Sequence, residues 1–145
     1  MMDANQIAAR LPHKYPILLV DRILEIEEGI RGVGVKNVTI NESYFEGHFP
    51  GEPVMPGVLV IECMAQTAAI VFGYNQQAHS EMNSSKRPRY LAMIQNMKFH
   101  KKVVPGDQLI IEVRMIKQFG PLLKVSAEAQ VGGKVVASGT LTFAG

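Results

Sequence analysis

The chain has 145 residues, 47% of them hydrophobic and 19% charged, and its formal net charge is +2. That length suits one domain with a substantial core and is too short for two. The first ten residues show neither a secretion signal nor a transit pattern. The longest apolar run, residues 58–74, contains Glu62 and falls short of the ~20 residues that cross a bilayer. We therefore expect one domain, residues 1–145, in the cytoplasm and without membrane insertion.

Cysteine content indicates the redox compartment, and the charge distribution indicates the kind of partner. Cys63 is the only cysteine, which excludes an intrachain disulfide and favours a reducing compartment. Between Glu81 and Asp107 lie six basic residues and no acidic one: Lys86, Arg87, Arg89, Lys98, Lys101 and Lys102. This clustering indicates an acidic partner or substrate, although solvated strand ends would leave the same pattern.

The first predicted elements are a short helix and a pair of strands. Asp3 and Gln6 match a capping box, and Pro12 ends the helix that the box begins. Residues 17–28 and 31–40 then predict two strands joined by a Glu-Gly turn.

Two glycines and a long helix follow. Gly32 and Gly34 stand inside the second strand and indicate a bulge or a close approach of another backbone. After a loop rich in glycine and proline, residues 56–74 predict a helix that is apolar nearly all round. Such a helix must be enclosed by other elements.

The C-terminal half alternates between apolar and polar side chains, as half-buried strands do. Four segments show the pattern: residues 89–99, 108–119, 124–131 and 135–143. A Gly-Gly pair between the last two marks a hairpin turn. An antiparallel sheet of about six strands, wrapped around the apolar helix, satisfies both kinds of element and places the chain in the α+β class.

Glu62 is the anomaly of the predicted helix. An unpaired carboxylate in apolar surroundings costs several kcal/mol, so it takes up a proton or finds partners. Gln66 lies four residues further along the same face, and the two residues make a polar stripe. Glu62 could instead face a subunit interface or cap a strand, but polar residues at core positions tend to be functional.

The start of the helix offers a site for negative charge. Pro56 fits the first turn, and the free N–H groups of Gly57 and Val58 lie at the positive end of the helix dipole. Glycine there also lets a carbonyl group approach the backbone. Glu62 follows ~7.5 Å along the axis, within reach of atoms a few bonds from that carbonyl.

His48 precedes the helix in the loop GHFPG. A neutral imidazole is a good base at cellular pH, although a lone histidine more often has a structural role. The remaining histidines show no spacing that indicates a metal site: His13, His79 and His100.

Together these groups specify a reaction that needs no metal or other cofactor. His48 removes a Cα proton from a bound acyl thioester, and the helix N–H groups stabilise the enolate-like charge. Glu62, kept neutral by its apolar surroundings, donates a proton to the departing β-hydroxyl group. The products are an α,β-unsaturated thioester and water.

Three motifs also carry a resemblance: LPHKYPILLVDRI, NESYFEGHFPGEPVMPGVLVIECMAQ and KFHKKVVPGDQL. Together they closely resemble the bacterial 3-hydroxyacyl-[acyl carrier protein] dehydratases of fatty acid synthesis, over residues 11–139. The resemblance implies a hot-dog fold and an acidic acyl carrier protein that presents its substrate on a phosphopantetheine arm. It also implies homodimers, commonly joined three at a time, and a place in lipid metabolism that includes lipid A synthesis.

By that resemblance, His48 and Glu62 are the catalytic pair and come from different subunits of one dimer. The Gly57 and Val58 amides are the oxyanion donors, and Gln66 orients the carboxyl group. Glutamate at position 62, where the isomerising sister family has aspartate, favours simple dehydration. The acyl tunnel and its gate are assigned to Tyr90, Met93, Ile94 and Met97, for which core packing is an equally good explanation. Carrier-protein docking is assigned to Arg87, Arg89, Lys98, Lys101 and Lys102.

Two other functions fit parts of the pattern. Hot-dog folds also host acyl-CoA thioesterases, which use a helix carboxylate and have no need of His48. A non-catalytic module that binds acyl groups or nucleic acid would leave the histidine and the carboxylate unused. Tyr90 and Phe99 are also too few aromatic residues for a surface on which bases stack.

Overall fold

One antiparallel sheet forms most of the computed structural model, which describes residues 1–73 and 90–145. Its strands are β1 (Arg22–Glu27), β2 (Arg31–Asn37), β3 (Tyr90–Phe99), β4 (Gln108–Phe119), β5 (Leu122–Val131) and β6 (Lys134–Ala144). They lie in the order β1-β2-β4-β5-β6-β3, so β1 and β3 are the edges. The predicted α+β class with about six strands is confirmed.

A short helix precedes the first strand, and the central helix follows β2 in the chain. Helix α1 (Ala4–Arg10) begins with the predicted capping box, in which Asp3 and Gln6 exchange backbone–side-chain hydrogen bonds of 2.9 Å. The central helix α2 spans Gly57–Ala68 and continues as a π-helical turn, Ala69–Gly73. In the portion of the chain that the structure describes, no helix is long and apolar enough to cross a membrane.

Gly32 and Gly34 allow α2 to lie directly against β2. A Cβ atom on Gly34 would come within 2.8 Å of Thr67 Oγ1, and one on Gly32 within 2.3 Å of Val71 Cγ2. Both separations are shorter than real Cβ contacts, so only glycine fits. Thr67 lies on α2 and Val71 on the π-helical turn that follows it, so the close approach at these glycines is made by side chains and not, as predicted, by another backbone.

The main core lies between α2 and one face of the sheet. Alternate side chains of the central strands are buried there, as the period of two predicts. From β4 and β5 these are Leu109, Ile111, Val113, Leu123, Val125, Ala127 and Ala129. The helix is less enclosed than its composition predicts, because the sheet covers only one side of it. Val58 in its first turn is 72% exposed.

Strand β3 leaves apolar side chains uncovered at the edge of the sheet. It pairs with β6 and, within the described residues, with no other strand. Its exposed apolar side chains are Tyr90, Leu91, Met93, Ile94 and Phe99. Long apolar edges of this kind are normally paired or covered in native proteins.

Candidate active site

His48 lies on the loop between a 3₁₀ turn (Ser43–Glu46) and α2. Val54 forms hydrogen bonds with both the side chain and the backbone of His48. The imidazole Nδ1 donates to the Val54 carbonyl oxygen at 2.6 Å, and the Val54 amide donates to the His48 carbonyl oxygen at 2.9 Å. A carbonyl oxygen can only accept, so Nδ1 carries the hydrogen of the neutral ring. Nε2 is therefore the nitrogen that can accept a proton, as a general base requires.

A cavity of about 410 Å³ opens beside His48. Apolar side chains form much of its wall, among them Met55, Val60 and Val103. Gly57 also lines it, and a Cβ atom there would come within 3.0 Å of the Phe99 ring. The cavity therefore combines a base, apolar walls and the N-terminus of α2.

The first amides of α2 are free donors. The first backbone bonds within the helix are donated by Leu59 and Val60, to the Pro56 carbonyl oxygen at 2.9 and 3.3 Å. No described group accepts a hydrogen bond from the Gly57 or Val58 amide. This is the arrangement that the predicted oxyanion site requires, since these two N–H groups stand at the positive end of the helix dipole.

Glu62 lies about one turn further along α2, where its side chain contacts Gln66 and His13. Its Oε1 accepts from Gln66 Nε2 at 3.0 Å and lies 3.5 Å from His13 Nε2. Among the described residues that line the His48 cavity, Glu62 does not occur. In the described part of the chain, the cavity beside His48 is thus formed without the Glu62 side chain.

Gln66 joins Glu62 to the segment before β1. The side chain is fully buried, and its Oε1 accepts from the amides of Leu19 at 2.9 Å and Val20 at 3.4 Å. Its Nε2 donates to the Ile17 carbonyl oxygen at 2.7 Å as well as to Glu62. Because amides donate to one end and a carbonyl accepts from the other, the orientation of the Gln66 amide is fixed.

A buried polar network supports the His48 loop. Lys36 of β2 pairs with Glu42, whose other carboxylate oxygen accepts from the Tyr44 hydroxyl at 2.5 Å. Burial, together with this carboxylate, raises the pKa of Tyr44. The Tyr44 carbonyl oxygen in turn accepts from the His48 amide at 3.1 Å. No sequence pattern predicts this network, which links His48 to the sheet.

Cys63 is a core residue, as expected. It is free and fully buried between α2 and the sheet. Burial raises the pKa of its thiol to about 12. The thiol is therefore neutral near pH 7 and unsuited to nucleophilic chemistry.

Three of the predicted docking residues lie in the described part of the chain, and two of them line the cavity. Lys101 and Lys102 line it, and Lys98 is exposed nearby at the end of β3. Arg87 and Arg89 lie outside the described residues.

The predicted tunnel residues occupy β3 and do not line the cavity beside His48. Tyr90, Met93 and Ile94 are exposed. Met97 is half-buried against Gly139, where an added Cβ atom would come within 2.6 Å of the Met97 Cε.

The comparisons with solved structures concern the fold. The dehydratase heterocomplex ApeI:P from Xenorhabdus doucetiae matches with a TM-score of 0.78 and 19% identity, covering 95% of this chain and 89% of that one. The uncharacterized protein PH1136 from Pyrococcus horikoshii matches with a TM-score of 0.68 and 16% identity, covering 99% and 94%. With its antiparallel sheet and one main helix, the protein has a hot-dog fold, as predicted.

Sequence comparison defines the family. The family model described as a FabA-like domain matches residues 11–140, and the chain belongs to that family. It is 53% identical over 144 residues to the "3-hydroxyacyl-[acyl-carrier-protein] dehydratase FabZ" of Streptococcus equi subsp. zooepidemicus (strain MGCS10565). It is 51% identical over 144 residues to the protein of the same name from Streptococcus pyogenes serotype M49 (strain NZ131). Each alignment covers 99% of this chain and 98% of the relative, which confirms the predicted resemblance.

Proposed function

We propose that the protein dehydrates (3R)-3-hydroxyacyl-[acyl carrier protein] to trans-2-enoyl-[acyl carrier protein] in fatty acid synthesis. One observation carries the proposal. Val54 fixes His48 in the tautomer with a free Nε2, beside an apolar cavity that also includes the N-terminus of α2. The relatives that bear the dehydratase name match nearly the whole chain, which supports the same assignment.

The reaction uses three parts of the site. Nε2 of His48 accepts the Cα proton, and the Gly57 and Val58 amides stabilise the negative charge on the thioester oxygen. The Cβ–O bond breaks as Glu62 donates a proton to the leaving hydroxyl group, which departs as water, and the Cα–Cβ double bond forms. Transfer of the proton from His48 back to Glu62 restores the starting state.

We also propose that two chains complete each site, with His48 from one and Glu62 from the other. Two observations support a homodimer. Among the described residues, Glu62 does not line the cavity beside His48, and no other strand covers the apolar edge of β3. Pairing of two β3 strands would cover that edge, and Met93, Ile94 and Met97 would then enclose the acyl tunnel, with Tyr90 as its gate. Assembly of three such dimers remains an expectation from the resemblance.

The carrier protein is the proposed partner at the mouth of the cavity. Lys101 and Lys102 line the cavity, and Lys98 is exposed at the end of β3. Although Lys102 lies 3.5 Å from Glu52, this positive charge suits an acidic protein that inserts a phosphopantetheine arm. A cytoplasmic location is part of the same proposal, since Cys63 is a free thiol and free thiols persist in reducing compartments.

An ultraviolet assay with 3-hydroxyacyl and crotonyl thioesters tests the proposed reaction. Reversible hydration of the double bond is the expected result. Release of free thiol would instead identify a thioesterase, and binding without turnover would identify a non-catalytic module.

Single variants test the catalytic pair. We expect His48→Ala and Glu62→Gln each to lower kcat at least ~100-fold with the fold intact. Glu128→Gln is the matched control, because Glu128 also accepts from a glutamine, Gln130, at 2.8 Å, on the sheet. Near-normal rates in either catalytic variant would contradict the mechanism. Mixing the two inactive variants should restore some activity, and no recovery after confirmed subunit exchange would place both groups in one chain.

A further inference from the structure

We propose that His13 is a positioning residue for Glu62. Together with Gln66 it holds Oε1 of the carboxyl group and so leaves Oε2 to carry the acidic proton. The inference rests on the proposed dehydration, in which Glu62 is the proton donor. It concerns a residue that showed no metal-ligand spacing and had no role in the sequence analysis.

The segment that carries His13 is fixed at both ends. On one side, Lys14 Nζ donates to the carbonyl oxygens of Ala8 at 2.6 Å and Leu11 at 3.3 Å, which ties the segment to the end of α1. On the other side, Ile17 and Leu19 bond to the buried Gln66 amide on α2. The backbone around His13 therefore has a set position over the face of α2 that carries Glu62.

The contact between the side chains identifies which oxygen His13 addresses. His13 Nε2 lies 3.5 Å from Glu62 Oε1, and the two side chains are 29% and 27% exposed, so both are partly open to solvent. The 3.5 Å separation is longer than an ordinary N–H···O hydrogen bond, and it shortens to one in the proposed reaction. Gln66 Nε2 donates to the same oxygen at 3.0 Å.

The hydrogen of the neutral His13 ring is placed on Nε2. A lone pair on Nε2 would face the lone pairs of Glu62 Oε1, whereas an N–H group there donates to them. His13 Nδ1 is buried and has no hydrogen-bond partner among the described residues, so a hydrogen on Nδ1 would find no acceptor there. Both arguments favour the Nε2–H tautomer.

Two donors that face one oxygen of Glu62 decide which oxygen of its carboxyl group carries the proton. In a protonated carboxyl group, the oxygen that faces both donors is the carbonyl oxygen, and the other oxygen holds the proton. Among the described residues no group bonds to Glu62 Oε2. Because the carboxyl group can otherwise turn and present either oxygen, His13 raises the fraction of time in which the proton faces the substrate.

A pair of variants separates positioning from packing. His13→Gln keeps an N–H donor near the place of Nε2 and loses the ring, whereas His13→Phe keeps the ring and loses the donor. We expect His13→Phe to lower kcat by about tenfold with KM nearly unchanged, and His13→Gln to stay within about threefold of wild type. The opposite order, with phenylalanine more active than glutamine, would overturn the proposal. Should His13→Phe not fold, His13→Asn takes its place, since the shorter amide does not reach Glu62.

A double-mutant cycle tests whether His13 acts through Glu62. In the Glu62→Gln background, His13→Phe should cause no further loss of kcat, whereas independent effects would multiply and overturn the proposal. The outcomes also separate this inference from the proposed function. A slow Glu62→Gln variant with a fully active His13→Phe variant would refute only the role of His13. A fully active Glu62→Gln variant would refute the proposed acid and this inference with it.

Discussion

Replacing Gln66 by glutamate exchanges the side-chain Nε2 atom for an oxygen and changes no other heavy atom. The acceptor end of the side chain, which serves the Leu19 and Val20 amides, remains. The donor end is lost, and with it the bonds to the Ile17 carbonyl oxygen at 2.7 Å and to Glu62 Oε1 at 3.0 Å. The new carboxyl group can donate to at most one of them, and only when it is protonated.

The expected loss of stability follows from burial. Gln66 is 0% exposed, so no solvent replaces the missing donors. A buried acceptor left without a partner costs about 1–3 kcal/mol, and a second carboxyl group beside Glu62 adds repulsion or the cost of protonation. We expect a fall of about 3 kcal/mol in the free energy of unfolding. For a chain of this size, that corresponds to a drop of roughly 6–12 °C in Tm.

Gln130→Glu is the matched control for this experiment. Gln130 also donates to a glutamate, Glu128, at 2.8 Å, but both side chains are only partly buried on β5. Its substitution should cost less than about 1 kcal/mol, as for surface pairs. Thermal melts of the two variants give the comparison. Both are measured at the same protein concentration, because association makes Tm depend on concentration. Equal Tm values for the two variants would refute the argument that buried donors at Gln66 hold this part of the fold.

Three further substitutions probe the core. Gly34→Ala should lower the free energy of unfolding by about 1–3 kcal/mol, because its Cβ atom would lie 2.8 Å from Thr67 Oγ1. Gly47→Ala, which has open space around it, is the control, and equal losses would contradict the close-approach argument. Lys36→Met removes the cation that pairs with the partly buried Glu42 carboxylate and should cost about 1–3 kcal/mol in a urea titration, whereas an unchanged midpoint would show that the pair contributes nothing. Because burial raises the pKa of Cys63 to about 12, the unfolded chain loses its thiol proton first as the pH rises above 9. The free energy of unfolding should therefore fall by about 1.4 kcal/mol per pH unit from there towards pH 12, and Cys63→Ala should lack this part of the slope. Identical slopes would contradict the assignment.

Much of the fold could be predicted because local patterns report burial directly. The period of two in β4 and β5 follows from one buried and one open face, and the capping box of α1 depends on residues three positions apart. The first strand shows where this reasoning fails. An apolar run from residue 17 predicts a strand, but β1 begins at Arg22. The amides of Leu19 and Val20 donate to Gln66 instead of to a neighbouring strand, and no local pattern contains that contact.

The candidate site likewise has residues that the sequence could predict and contacts that it could not. His48, Gly57 and Glu62 could be singled out because a base, a helix start and a carboxylate are chemically unusual within an apolar stretch. The network of Lys36 and Glu42 and the contact of His13 with Glu62 depend on how separate elements meet in space. In the described part of the chain, Glu62 also does not line the His48 cavity, which sequence spacing along one helix could not indicate.

The attachment of the N-terminal segment to α2 has a consequence for how the chain matures on the ribosome. Residues 13–20 emerge early, yet the side chain of Gln66 that fastens them is made 46 to 49 positions later. Until then, Leu19 and Ile17 have no partner for these bonds. The N-terminal segment must therefore wait for the helix, and a truncation of residues 1–20 would remove the backbone partners of Gln66 and the contact of His13 with Glu62.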